Sequence, residues 1–178
     1  MGRFLGIGEK FPEFKLKACV SREKGKEFAD ISSATSKGNW AVYFFWPLDF
    51  TFVCPTEIRG YNKLNAEFKK LNTVVLGASV DSVHAHKAWV NSDLGKLEFP
   101  LIGDLKHELS QACGILSPEG FANRATFIAN PEGVIDAVTI TSSNVGRSVD
   151  ETLRTLQALQ TGGLAPCDWQ PGQDLLRA

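Results

Sequence analysis

Between Ala41 and Trp46 the chain reads AVYFFW, six apolar, β-branched or aromatic residues in a row, and the run stops at Pro47. A strand with one wet face alternates apolar and polar residues. A run that is apolar at every position reads as a strand buried on both faces, at the centre of a sheet covered by helices. It is far shorter than the roughly 20 residues that a membrane-spanning helix requires. Beyond Pro47, the residues Ile58, Tyr61, Leu64, Phe68 and Leu71 recur at spacings of three and four. That is the apolar stripe of a helix over Cys54–Leu71. Thr73–Val80 (TVVLGASV) is a second buried strand. Strand, helix and strand at this spacing form a right-handed crossover and imply parallel pairing.

The remaining pattern is weaker. A second helix is expected over Val83–Asp93, a short strand at Leu101–Ile102 and a brief helix over Glu108–Cys113. Thr126–Ala129 and Val134–Thr141 flank the turn residues Asn130-Pro131-Glu132-Gly133 and should form an antiparallel hairpin. Ser148 followed by Glu151 is a capping box that opens a last helix, and Gly162-Gly163 ends it near Thr161. The first forty residues read as irregular and charged, with one strand candidate at Phe14–Ala18. The order βαβα, ββ, α resembles the thioredoxin-like α/β arrangement, a mixed central sheet flanked by helices with an insertion before the hairpin. Residues 1–163 form this domain, and 164–178 (LAPCDWQPGQDLLRA) read as an extended tail.

Composition narrows the function. Nineteen basic residues against twenty acidic ones give a net charge of −1, so no basic surplus exists for nucleic-acid phosphates. The amino terminus lacks the apolar core of a signal peptide, and four cysteines are too sparse for a disulfide scaffold. These features suggest the cytoplasm, where thiols stay reduced. His84 and His86 are two apart on a helix and point different ways. No Cys-x-x-Cys or His-Glu-x-x-His spacing exists, so neither a metal nor another cofactor is expected.

The chemistry concentrates at Phe45-Trp46-Pro47-Leu48-Asp49-Phe50-Thr51-Phe52-Val53-Cys54-Pro55-Thr56-Glu57. A lone cysteine is most often a buried apolar residue. Cys54, however, sits where a strand and loop give way to a helix. Unpaired amides and the helix dipole there favour a thiolate. Dithiol oxidoreductases need a second cysteine one turn on, and here that position is Glu57. The site therefore suits oxidation of one sulfur to sulfenic acid, resolved by a distant thiol.

Pro47-x-x-x-Thr51-x-x-Cys54 resembles the peroxiredoxin signature. The longer string, together with Trp89, Phe99-Pro100, Arg124-Ala125-Thr126-Phe127-Ile128, Val145–Glu151 and Cys167-Asp168-Trp169, is similar to typical two-cysteine peroxiredoxins of the alkyl hydroperoxide reductase C type. The resemblance implies that Cys54 is the peroxidatic cysteine. It makes Thr51 the hydroxyl that bonds peroxide and thiolate, Pro47 the shield against water, and Arg124 the guanidinium that holds peroxide oxygens. Glu57 and Arg147 would orient this network; without the resemblance, each would read as a solvated surface charge. Cys167 would be the resolving cysteine, which belongs to the partner subunit and forms an intersubunit disulfide with Cys54.

The implied activity is thiol-dependent reduction of hydrogen peroxide and small organic hydroperoxides. A protein disulfide reductant (a thioredoxin, a flavoprotein reductase or a small adaptor) would close the cycle. The implied assembly is a homodimer, built further into a ring of five or six dimers. A peroxide sensor or a holdase chaperone using the same oxidation is the alternative. Cys54 in a packed helical turn cannot reach a distant sulfur, so the first turn must unwind and expose Phe50, Phe52 and Val53. Only eleven residues follow Cys167, so little is expected to pin the tail. Cys19 and Cys113 read as buried apolar residues, and Asp104-Leu105-Lys106 as solvated charge.

Overall fold

The computed structural model describes residues 3–177. Seven strands are β1 (Lys15–Cys19), β2 (Phe28–Ser32), β3 (Trp40–Phe45), β4 (Thr73–Ser79), β5 (Leu101–Gly103), β6 (Arg124–Ala129) and β7 (Ile135–Thr141). The α-helices are α1 (Cys54–Lys70), α2 (Val83–Trp89), α3 (Glu108–Ala112) and α4 (Val149–Gln160). The strands form one sheet in the order β2-β1-β5-β4-β3-β6-β7. β3, β4 and β5 pair in parallel, while β6, β7, β1 and β2 join antiparallel. This is the mixed sheet expected from the sequence.

β3 explains its own composition. Val42, Phe44 and the following Trp46 enter one layer with Ile58, Tyr61 and Phe68 of α1 and Leu156 of α4. Ala41, Tyr43 and Phe45 enter the other layer with Phe11, Leu109, Cys113 and Phe127. The strand therefore has no wet face to mark with a polar residue. Phe44 stacks on Tyr61 with ring centroids 4.1 Å apart. Burying a side chain of this size contributes roughly 1.5–3 kcal/mol, which anchors α1 to the sheet and fixes where its first turn begins.

Four elements differ from the sequence reading. The first forty residues hold a second strand, β2, paired to β1 with Lys17 opposite Asp30. Its sequence, FADIS, is half-buried except for the exposed Asp30, so it lacks the apolar alternation that betrays an inner strand. The expected helix over Val83–Asp93 changes at Trp89 into a π-helical turn, Val90–Leu94, which Gly95 closes at φ 77°. Asp104 is fully buried rather than solvated; its carboxylate accepts from the amides of Leu109 and Ser110 at 3.0 and 2.7 Å and caps α3. The segment after Gly163 is not simply extended. Trp169 is buried, and the amide of Leu176 donates to the Leu164 carbonyl, which folds the segment into a loop.

Gly77 in β4 shows how tightly the site side of the sheet is packed. A methyl group built there would lie 2.8 Å from Phe44 and 2.9 Å from Trp46. Both rings are fully buried and cannot give way. Gly77→Ala is therefore expected to destabilise the protein by about 1–3 kcal/mol, read as a lower midpoint in urea unfolding.

Candidate active site

Cys54 is the first residue of α1 and is fully buried. Val53 before it offers no side-chain cap, and Pro55 after it has no amide hydrogen to satisfy. Cys54 therefore sits at the positive end of the helix dipole. Thr51 Oγ1 lies 2.9 Å from Cys54 Sγ and 3.0 Å from the Leu48 carbonyl. One hydroxyl hydrogen serves these two acceptors. An anionic sulfur takes it; a protonated sulfur donates to Oγ1 instead and leaves the hydroxyl to Leu48. Pro47 is buried where β3 ends. Phe50 adopts φ 56°, a left-handed conformation rare for an aromatic residue, and its ring lies 5.6 Å from Trp89.

One turn along the same helix face stands Glu57, also buried. Its Oε1 accepts from the backbone amide and Nε of Arg147, both at 2.8 Å. Its Oε2 accepts from Arg147 Nη2 at 3.0 Å and Arg124 Nη1 at 2.6 Å. Arg147 also donates to the Phe45 carbonyl at 2.8 Å and to Thr126 Oγ1 at 3.1 Å. Burial alone would raise the Glu57 carboxyl; the hydrogen bonds and charge of Arg147, with the charge of Arg124, outweigh it and hold the carboxyl below its ordinary range. Neither Glu57 nor Arg147 is the solvated charge that a sequence without the resemblance suggests. Two guanidiniums against one carboxylate leave this buried cluster with one excess positive charge beside the helix start.

A second buried pair fixes the loop before Cys54. His86 Nδ1 lies 2.7 Å from Asp49 Oδ2, and its Nε2 lies 3.1 Å from the Ile102 carbonyl. Asp49 Oδ1 also accepts from Trp46 Nε1 at 2.9 Å, and its amide donates to Asp81 at 2.9 Å. Sequence reasoning overlooked this pair, although one signal was present. His86 shares the apolar stripe of Val83, Trp89 and Val90, so it had to be buried and needed a partner.

Of the expected residues, Thr51 meets Cys54, and Glu57, Arg124 and Arg147 meet one another. Arg124 Nε donates to the Ser143 carbonyl at 2.8 Å, and among the described residues neither arginine hydrogen-bonds the sulfur. Arg124 Nη2 donates to no described atom. Cys167 is exposed, and all four cysteines are free. Gly60 lies under Val149, and Gln160 Nε2 donates to the Leu71 carbonyl at 2.8 Å, so α4 runs in the same direction as α1. Arg154 of α4 donates to the Trp169 carbonyl at 2.9 Å. A rise of 1.5 Å per residue then sets the tail on the order of 15 Å along the helix axes from its own Cys54. A disulfide needs Cα atoms within about 7 Å. Phe50 and Phe52 are exposed already in this thiol form, at 59% and 96%, so their side chains need no oxidation to reach solvent.

Among the described residues, no group of three His, Cys, Asp or Glu is placed to hold a metal ion. A cleft of about 520 Å³ between Cys19–Glu23 and Val90–Asn91 touches none of the site residues.

The AhpC/TSA family model matches residues 7–138. The chain is 45% identical over 184 residues to alkyl hydroperoxide reductase C of Mycobacterium tuberculosis, covering 98% of this chain and 94% of the relative. Its fold matches the solved structure of Mycobacterium bovis AhpC with a TM-score of 0.87 at 44% identity, over 95% of this chain and 100% of that one. The reduced 2-Cys peroxiredoxin of Plasmodium vivax matches with a TM-score of 0.88 at 31% identity, over 94% of this chain and 91% of that one. The chain belongs to the AhpC/TSA family, the two-cysteine peroxiredoxins of alkyl hydroperoxide reductase C type, with their thioredoxin-like fold.

Proposed function

We propose that this peroxiredoxin reduces hydrogen peroxide and small organic hydroperoxides at Cys54, in the cytoplasm, and relays the oxidation to Cys167 of a partner subunit. The observation that carries the reading is Cys54 Sγ at 2.9 Å from the Thr51 hydroxyl, at the helix start beside the net-positive Glu57–Arg124–Arg147 cluster. The thiolate attacks the terminal peroxide oxygen. An S–O bond forms, the O–O bond breaks, and the leaving alkoxide or hydroxide takes up a proton. Thr51 bonds the sulfur and the incoming oxygens in turn. Arg124 Nη2, not engaged elsewhere, is free to steady the charge on the departing oxygen. Pro47 closes the site to water, and Glu57 and Arg147 keep Arg124 in place.

The Cys167 thiol then displaces the oxygen of the Cys54 sulfenic acid as water. A protein dithiol, whether a thioredoxin, a flavoprotein reductase or a small adaptor, reduces the resulting disulfide. The separation of Cys167 from its own Cys54 supports an intersubunit bond. The outer edge of β7, the last strand of the sheet, supports a dimer through pairing with a second copy. Leu48, Phe50 and Phe52 form an exposed apolar group in the site loop, which supports further association of dimers into a ring of five or six.

Steady-state turnover of micromolar peroxide with a recycling dithiol tests the reading. A single stoichiometric oxidation without turnover would make the protein a switch and not a peroxidase. Cys54→Ser is expected to abolish both turnover and the disulfide-linked dimer on a non-reducing gel. Cys167→Ser is expected to allow one rapid oxidation of Cys54 and then stop, with no dimer band. Hydrogen exchange over residues 50–58 should rise in the disulfide form as the first turn of α1 unwinds; identical protection in both redox forms would contradict that step.

Glu57→Gln removes the carboxylate between two buried guanidiniums and is expected to cost about 3 kcal/mol or more. The sign of the acid dependence follows from the lowered Glu57 carboxyl. Its contribution is complete above the ordinary glutamate range, near pH 4.3, and is lost as the pH falls through the lower folded value. Urea midpoints measured across that acid range should converge for the two proteins as the pH falls.

A further inference from the structure

Arg154 lies in the second turn of α4, away from the cluster around Cys54. Its Nε donates to Glu151 Oε2 and its Nη2 to Glu151 Oε1, both at 2.7 Å. Its remaining nitrogen, Nη1, donates to the Trp169 carbonyl at 2.9 Å. The Glu151 carboxylate is thereby diverted from the capping box that its position suggests. Only half of that box forms, the Glu151 amide donating to Ser148 Oγ at 3.1 Å. The carboxylate instead orients the guanidinium, and the guanidinium holds the tail.

What it holds is a folded loop. Trp169 is 5% exposed, and its Nε1 donates to the Gln173 carbonyl at 3.0 Å. The Leu176 amide closes the loop on the Leu164 carbonyl at 2.9 Å. Asp168 is held at φ 57°, in the left-handed region. Cys167 stands two residues before the clamped carbonyl, exposed. Leu164, Leu175 and Leu176 remain substantially exposed, so the loop has little apolar anchorage beyond Trp169. The charged fork is a direct polar tie between the loop and the helix.

We infer that Arg154 is a positioning residue of the resolving step: it latches the Cys167 loop to α4, and the latch must open before Cys167 attacks the partner's sulfenic acid. This rests on the reading of Cys167 as the resolving cysteine. In the step, a Cys167–Cys54 S–S bond forms, the Cys54 S–O bond breaks, and the oxygen leaves as water with the proton of the Cys167 thiol. Cys54 is fully buried in a helical turn, so the loop has to travel toward it, and it cannot do so while the Trp169 carbonyl is held. A firm latch delays resolution and gives a second peroxide time to drive Cys54 to sulfinic acid.

The test separates the two chemical steps by rapid mixing of the reduced protein with peroxide. Arg154→Gln is expected to leave the rate of sulfenic acid formation unchanged. It should raise the rate of disulfide formation by about tenfold or more, the share that one charge-assisted hydrogen bond can hold. The sulfinic fraction of Cys54 per turnover should fall by a similar factor. Glu151→Gln, which keeps Arg154 but loosens its fork, should move the same readouts in the same direction by less. Exchange of the Leu176 amide should quicken in both variants. An unchanged resolution rate in Arg154→Gln overturns the latch. A slower rate that Arg154→Lys restores also overturns it, because the charge would then serve the Cys167 sulfur and not the loop. Cys167→Ser run alongside keeps the two readings apart: a disulfide dimer that survives in that variant refutes Cys167 as the resolving residue, whatever Arg154 does.

Discussion

One carboxylate holds the reactive end of this molecule together. Glu57 comes from α1, Arg124 from the first position of β6, and Arg147 from the residue just before the cap of α4. Through Arg147 the same group reaches the last carbonyl of β3 and the hydroxyl of Thr126. Four separate stretches of chain therefore agree on the position of a single helical turn, and Cys54 begins that turn. Buried ions are costly to desolvate, so such a group endures only when nearly every donor and acceptor is answered. Here Glu57 receives four hydrogen bonds, three from guanidiniums and one from the Arg147 amide, and its charge is outnumbered by the two guanidiniums. The imbalance is chemically useful because it leaves the site short of one negative charge.

The second structural decision is made by the sheet. β3 is buried on both sides, and its final residues deliver the chain to Pro47 and the loop of Thr51. Trp46, Asp49 and His86 fasten that loop to β5 through the Ile102 carbonyl. The backbone can then sustain a left-handed Phe50, which turns Thr51 back to face the sulfur. Fold and chemistry meet in a few residues, and the remainder of the sheet serves to keep them still.

Much of this was legible in the sequence, for specific reasons. The uninterrupted AVYFFW and the three-and-four spacing after Cys54 are strong because burial on two faces or on one stripe leaves no room for polar residues. The hairpin of β6 and β7 was legible in its turn residues. β2 was not, because a half-exposed edge strand tolerates the Asp and Ser that usually mark a loop. Asp104 misled because a carboxylate that caps a buried helix end looks, in one dimension, like a solvated one. Cys54 stood out through its junction with a helix. The burial of Glu57 and Arg147 did not, since they lie 90 residues apart and only the folded chain brings them together. Asp49 and His86 escaped notice for the same reason, and the tail because its order comes from α4 and not from its own residues.

The two buried anchors also set a leash. Asp49 and Glu57 are fastened on either side of Cys54, so only the residues between them are free to rearrange when the helix start unwinds. Three residues of fully extended chain span at most about 10 Å, which caps how far the sulfur can stray from Glu57. Any wider gap to a partner's thiol has to be crossed from the other side, by the loop that carries Cys167.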